Sequence, residues 1–149
     1  MTIPYENATS GKTAIADMQK ICRKFGADDF GIKENFKNGT LLVQFEIRGH
    51  VVHIEASSKG YAAAWLREHP YTHRMKSTKA EHEAKALKKG NIAVYSILRD
   101  WIKGQVTAVE VGMMTFEGAF LGQILLPDGK TVLDHVQSKK LLHAPEQSQ

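Results

Sequence analysis

Apolar residues recur along this chain with two periods, and the change between them divides it into helices and a sheet. Between residues 13 and 25, Ala14, Ile15, Met18, Ile21, Cys22 and Phe25 fall three and four apart, the spacing that gathers side chains on one side of an α-helix. Ser10 stands where an N-cap is wanted, and Gly26 where a helix ends in a left-handed residue, so a helix is predicted between them. The period then falls to two. Phe30, Ile32, Glu34 and Phe36 share one side of a first strand, and Leu41, Val43, Phe45 and Ile47 one side of a second. Val52, Ile54 and Ala56 share one side of a third, over residues 51–56. Lys37-Asn38-Gly39 joins the first two strands, and Asn-Gly is a strong hairpin signal because both residues tolerate positive φ. Gly49 turns the chain into the third. The prediction is a three-stranded antiparallel meander with one apolar face that needs helices on it. Gln44, Glu46, Arg48, His53 and Glu55 fall on the other face.

The helical period returns afterwards. Residues 61–68 fit a short helix that Pro70 prevents from continuing, since the residue before proline avoids helical geometry. Residues 69–77 show no periodicity and read as an exposed loop. Thr78 with Glu81 makes a capping-box pattern at the head of a long helix. Its predicted stripe is Ala80, Ala84, Leu87, Val94, Leu98 and Trp101, with Ile97 and Ile102 beside it, running on to Gly112. A break at Gly90 is the alternative, because a helical glycine costs about 1 kcal/mol against alanine. Residues 115–121 read as a short helix, residues 124–126 as an extended piece and Pro127-Asp128-Gly129 as a turn. Residues 131–142 fit a final helix with Val132, Val136 and Leu141 facing inward. The fold class is therefore α+β: an N-terminal helix, a three-stranded antiparallel meander, a long helix and short C-terminal helices, an αβββα-like order. Residues 1–9 read as a flexible lead-in, residues 10–142 as one α+β domain and residues 143–149 as a tail.

Composition narrows this only modestly. A chain of 149 residues with 42% hydrophobic and 24% charged side chains has enough apolar surface for a core and argues against widespread disorder. Cys22 is its only cysteine, which excludes an intramolecular disulfide framework and fits a reducing compartment. The first residues lack the profile of a signal peptide, and the apolar runs are too short to span a bilayer. The expected location is the cytoplasm.

A net charge of +4 is too mild to announce nucleic-acid binding by itself, so its placement matters more. Arg67, Arg74, Lys76, Lys79, Lys85, Lys88 and Lys89 fall in one short span, joined by His69, His73 and His82, with Trp65 and Tyr71 interleaved. A basic loop entering a helix can neutralise phosphates, an aromatic ring can stack on a base, and the free N–H groups of a helix start attract anions. The predicted nucleic-acid-contacting residues are Arg67, Tyr71, His73, Arg74, Lys76, Lys79 and Lys85. The competing reading is a solvated helix face on which Glu81 and Glu83 partly cancel the charge.

Other chemistries fall short. His50 and His53 are three apart on a strand and so face opposite sides. His69 and His73 straddle a proline with no cysteine or carboxylate at ligand spacing. Neither a metal nor a cofactor is expected. Asp28, Asp29, Glu46 and Glu55 could form a nuclease-like cluster of acids around a divalent metal, but acids on a meander more often pair across strands with residues such as Arg48. Cys22 lies on the buried stripe of the first helix. Gly11-Lys12-Thr13 ends like a phosphate loop yet lacks the upstream glycine and strand. No catalytic residue is predicted, and the chain reads as non-enzymatic. Val111, Gly112, Met113, Met114 and Phe116 could form a partner surface, but packing at a helix junction is the favoured use.

The most specific pattern lies near the C-terminus. Thr107-Ala108-Val109-Glu110-Val111-Gly112-Met113-Met114-Thr115-Phe116-Glu117, then Phe120-Leu121, then Leu125-Leu126-Pro127-Asp128-Gly129-Lys130-Thr131-Val132, resembles a family of small uncharacterised proteins of phage and prophage genomes. That family carries such a signature after a long basic helix, and the order of elements ahead of it is the same. The resemblance implies a phage origin. It further implies either a role in nucleic-acid metabolism or interference with a host system, by binding a host protein or a signalling nucleotide. Where the family is strongly arginine-rich ahead of the long helix, this chain has the milder Arg74-Met75-Lys76-Ser77-Thr78-Lys79. The helix–meander–helix order is also similar in outline to a double-stranded-RNA-binding domain, but order alone carries no function.

Overall fold

The computed structural model describes residues 2–147. Residues 1 and 148–149, the ends of the expected lead-in and tail, lie outside the described residues. The elements are α1 (Gly11–Phe25), β1 (Asp29–Asn35), β2 (Thr40–Ile47), β3 (His50–Ser57), α2 (Lys59–Glu68), α3 (Lys79–Glu110), α4 (Phe116–Phe120) and α5 (Val132–Ser138). The strands form one antiparallel sheet in the order β1-β2-β3. This is the α+β architecture that the periodicities predict.

Local chemistry explains the first half. Ser10 Oγ accepts the Thr13 N–H at 3.2 Å and opens α1; Gly26, at φ 105°, closes it. Ala14, Met18, Cys22 and Phe25 of α1 are buried, and burial pushes the Cys22 thiol up to about 12. They meet Leu41, Val43, Phe45, Ile47, Val52 and Ile54 from the inner face of the sheet. The turns depart from expectation. Residues 36–39 form a four-residue loop in which only Gly39 has positive φ. The Asn35 side chain accepts the Asn38 N–H at 3.0 Å and its carbonyl accepts the Gly39 N–H at 2.9 Å, so Asn38 need not turn left-handed. The tight turn with both central residues at positive φ is Arg48-Gly49 instead.

Helix α3 runs unbroken for 32 residues from a Thr78–Glu81 capping box. Gly90 does not interrupt it, because its role is a close crossing: a Cβ there would stand 2.7 Å from the Ser58 carbonyl oxygen. The same crossing corrects the predicted stripe. In the first half of α3 the buried row is His82, Ala86 and Gly90, whereas Ala80, Ala84 and Leu87 are exposed. Helix α2 packs on that row through Ala62 and Trp65, and the main core takes α3 only from Val94 onward, through Leu98, Ile102 and Val106.

The signature region proves to be folding chemistry. Gly112 ends α3 at φ 74°, and the Met113 N–H returns to the Ala108 carbonyl at 2.9 Å. Thr115 caps α4 by accepting the Gly118 N–H at 2.9 Å. Phe120 is fully buried, edge-on to both Phe45 and Trp101 at 5.9 Å. Gln105 donates its side-chain amide to the Ala119 carbonyl. Ile124 bridges to Val52 on β3, and Gly129 turns the chain at φ 81°. Thr131 and Asp134 form a capping box on α5.

Two expectations fail here. α5 stops at Ser138, because Lys140 takes a left-handed φ of 53° and the Leu141 N–H closes on the Val136 carbonyl at 3.2 Å; Leu141 is exposed rather than inward. Val111, Met113 and Met114 are exposed at the α3–α4 junction, and only Phe116 of that group packs inside. Among the described residues no helix is long and apolar enough to cross a membrane.

Candidate nucleic-acid interface

The basic span folds as the end of α2, the loop that follows and the start of α3. Its frame is a cluster of rings. Trp65, only 3% exposed, stacks on His69 at 4.5 Å and 11° and meets His82 at 5.1 Å. The His82 ring Nε2 lies 2.6 Å from the His69 carbonyl oxygen, which fastens the loop to α3. The Trp65 indole N–H donates to Glu6 Oε1 at 3.2 Å, and His69 Nε2 lies 2.9 Å from the same oxygen. Burying the indole would cost about 1–3 kcal/mol without such a partner. Trp65 is therefore a packing residue, closed to a stacking base.

The partner comes from the segment expected to be a loose lead-in. Glu6 reaches the cluster, the Tyr61 hydroxyl donates to the Pro4 carbonyl at 2.6 Å, and the Tyr5 hydroxyl donates to Asp100 at 2.6 Å. Burial and the Glu6 charge raise the pKa of Tyr61. Nothing near Glu6 in the chain signals this role, since the Trp65 and His69 rings that it meets lie 59 residues away and beyond.

Arg67, His73, Arg74, Lys76, Lys79 and Lys85 are all exposed, and Tyr71 is half-buried. Tyr71 meets His73 edge-on at 5.8 Å and His82 at 5.9 Å, so part of its ring is committed to the frame. Among the described residues, the ion pairs join His69 to Glu6, Arg99 to Asp17 and Asp100, and His135 to Asp128. None of the predicted phosphate-contacting cations takes part. The Glu81 carboxylate is engaged in capping, accepting the Thr78 N–H at 3.3 Å. The Lys85 and Lys89 ammonium groups lie 5.9 and 5.8 Å from the Trp65 ring, within range of a cation–π attraction. That contact orients both lysines and leaves their outer sides to solvent. The structure thus brings Lys85 and Lys89 together on Trp65, and sets Arg74 and Lys76 on the preceding loop and Lys79 on the first turn of α3.

The acids of the outer sheet face do not converge. Asp29 stands opposite Glu46, but Glu55 stands opposite Leu42, four residues farther along β2, or about 13 Å. Among the described residues no group of three or more His, Cys, Asp or Glu side chains is placed to share a metal ion. His50 stacks on Phe116 at 5.6 Å, and His53 lies 3.0 Å from Gln44 across the strands. No protein-family profile, no curated protein and no solved structure matches this chain.

Proposed function

We propose that this chain is a non-enzymatic, phage-encoded protein of the host cytoplasm that binds nucleic acid through Arg67, Tyr71, His73, Arg74, Lys76, Lys79 and Lys85. One observation carries the reading: these cations share one exposed stretch, and none is neutralised by a carboxylate within ion-pair distance among the described residues. Such a surface holds condensed anions or binds a polyanion. Each lysine or arginine that neutralises a phosphate releases a counterion, which makes binding favourable at low salt. The ring frame under the loop supports the reading, because it presents the cations at little further entropic cost. The phage setting rests on the signature pattern alone. Titration of a fluorescent oligonucleotide is the test. Affinity should be measurable at low salt and fall steeply as salt rises; absent or salt-insensitive binding overturns the reading.

A second reading has its own observation. Val111 and Met113 are 70% and 71% exposed, side by side at the α3–α4 junction, and methionine-rich patches adapt to partners. This favours a protein-binding factor that acts on a host system. Under that reading Met113→Asp abolishes capture of the host protein while leaving oligonucleotide affinity alone.

A further inference from the structure

A cavity of about 200 Å³ opens between the β1–β2 loop and α3, away from the Trp65 cluster. Leu41, Val94 and the ring of Tyr95 make its apolar wall, and Phe36 and Leu87 stand at its rim. Phe36 is 88% exposed. Six polar residues break the apolar lining (Glu34, Asn35, Thr40, Ser58, Asn91 and Tyr95), and three of them bear most on a ligand. Tyr95 is 7% exposed, and its hydroxyl has no hydrogen-bond partner among the described residues. Ser58 is 5% exposed and donates to the Gly39 carbonyl at 3.2 Å, which leaves its own lone pairs unused. Glu34 continues the row Phe30, Ile32 on the side of β1 that faces the helices, opposite Leu41, and has no ion pair among the described residues. One cation stands at the opening and a second lies on the same side of α3. The stem of Lys59 crosses Gly39, with its Cε 3.1 Å from where a Cβ would be, and Lys88 precedes Asn91 by three residues, hence on the same side of α3.

We propose that this cavity seats one nucleobase carrying an exocyclic amino group (adenine, cytosine or guanine), with its phosphate held by Lys59 and Lys88. The volume suits a single flat ring system, since an apolar cavity of about 150 Å³ takes one benzene ring. The Glu34 carboxylate, exposed to solvent at the end of this row, favours a ligand with N–H donors, which amino-bearing bases present and thymine offers only at one ring nitrogen. Phe36 and Leu87 cover the ring faces. The same base-plus-phosphate chemistry comes from a single strand or from a free nucleotide. The single-strand form rests on the proposed function above; the pocket itself does not.

The experiment compares oligo-dA, oligo-dC and oligo-dT of one length, and AMP and UMP, on the intact chain. Glu34→Met removes the acceptor at similar size, and Leu87→Trp fills the cavity from a partly exposed position, each checked for fold by circular dichroism. Wild type should prefer dA and dC over dT by about tenfold. Glu34→Met should erase that preference with the salt slope unchanged, and Leu87→Trp should weaken every ligand. Steep salt-dependent binding with no base preference, untouched by Glu34→Met, overturns the pocket and leaves the phosphate surface standing. AMP binding lost in Leu87→Trp, with no oligonucleotide binding at any salt, upholds the pocket for a free nucleotide and overturns the nucleic-acid reading.

Discussion

Residues 107–132 carry the most specific pattern in the chain, and its glycines, its capping threonines and its phenylalanines turn, cap or pack. Gly112 and Gly129 supply left-handed turns, Thr115 and Thr131 cap helices, and Phe116 and Phe120 fill the core. Residues 67–85 carry a loose scatter of lysine, arginine and histidine, and there the lysine and arginine ends face water without carboxylate partners among the described residues. The contrast shows how a pattern can be specific and still say little of chemistry. Caps and tight turns admit few residue types at fixed offsets, whereas a phosphate-binding surface needs charge in roughly the right place. The two regions should therefore fail in different ways when altered.

The largest effect is expected in the signature region. Phe120→Ala removes a fully buried ring packed against Phe45 and Trp101, and should lower stability by about 3–5 kcal/mol in urea unfolding. Oligonucleotide affinity of the folded fraction should stay within twofold or so of wild type. Equal losses in both readouts would erase the distinction between the regions.

Gly90→Ala comes next and sharpens the picture of the α2–α3 crossing. Helix propensity alone predicts a gain of about 1 kcal/mol. The 2.7 Å approach of the Ser58 carbonyl predicts a net loss of about 1–3 kcal/mol instead. Because α2 and α3 frame the basic surface, affinity should fall as well.

Helix caps give a matched pair. Thr131→Ala and Thr78→Ala each remove a capping box and should each cost about 1 kcal/mol. Only Thr78→Ala, which frays the turn bearing Lys79, should also weaken oligonucleotide binding. The smallest effect concerns pH. Hydrogen bonds from Tyr5, then Arg99, hold the Asp100 carboxyl below its ordinary 3.8. A depressed carboxyl stabilises the fold above its unfolded value and loses that contribution as pH falls through the folded one. Asp100→Asn should therefore be less stable near neutrality, with the gap to wild type closing below pH 3.8.

Much of the fold was legible because its signals are local. Ser10 and Gly26 bound α1, the alternation through β2 sets the inner face, and Thr78 with Glu81 starts α3. What misled was any residue whose partner is distant. The stripe Ala80–Ala84–Leu87 has good helical spacing, yet α2 packs on the His82–Ala86–Gly90 row beside it, which no single-helix pattern reveals. Asn38-Gly39 looks like a two-residue hairpin turn until the Asn35 side chain is seen to hold a longer loop. In the basic surface the exposed cations were legible, and Trp65 was not. A tryptophan among lysines suggests a stacking platform, and only the Glu6 contact and its 3% exposure show it closed.

The salt dependence of oligonucleotide binding by Arg74→Ala/Lys76→Ala/Lys79→Ala, set beside wild type and beside its own urea stability, tests the central claim most directly. The three side chains are exposed and unpaired among the described residues, so stability should change by no more than about 0.5 kcal/mol. The slope of log affinity against log salt should fall by about 2–3, close to 0.7–0.9 for each phosphate that is no longer neutralised. An unchanged slope, or a fall in affinity that merely follows a fall in stability, would contradict the claim.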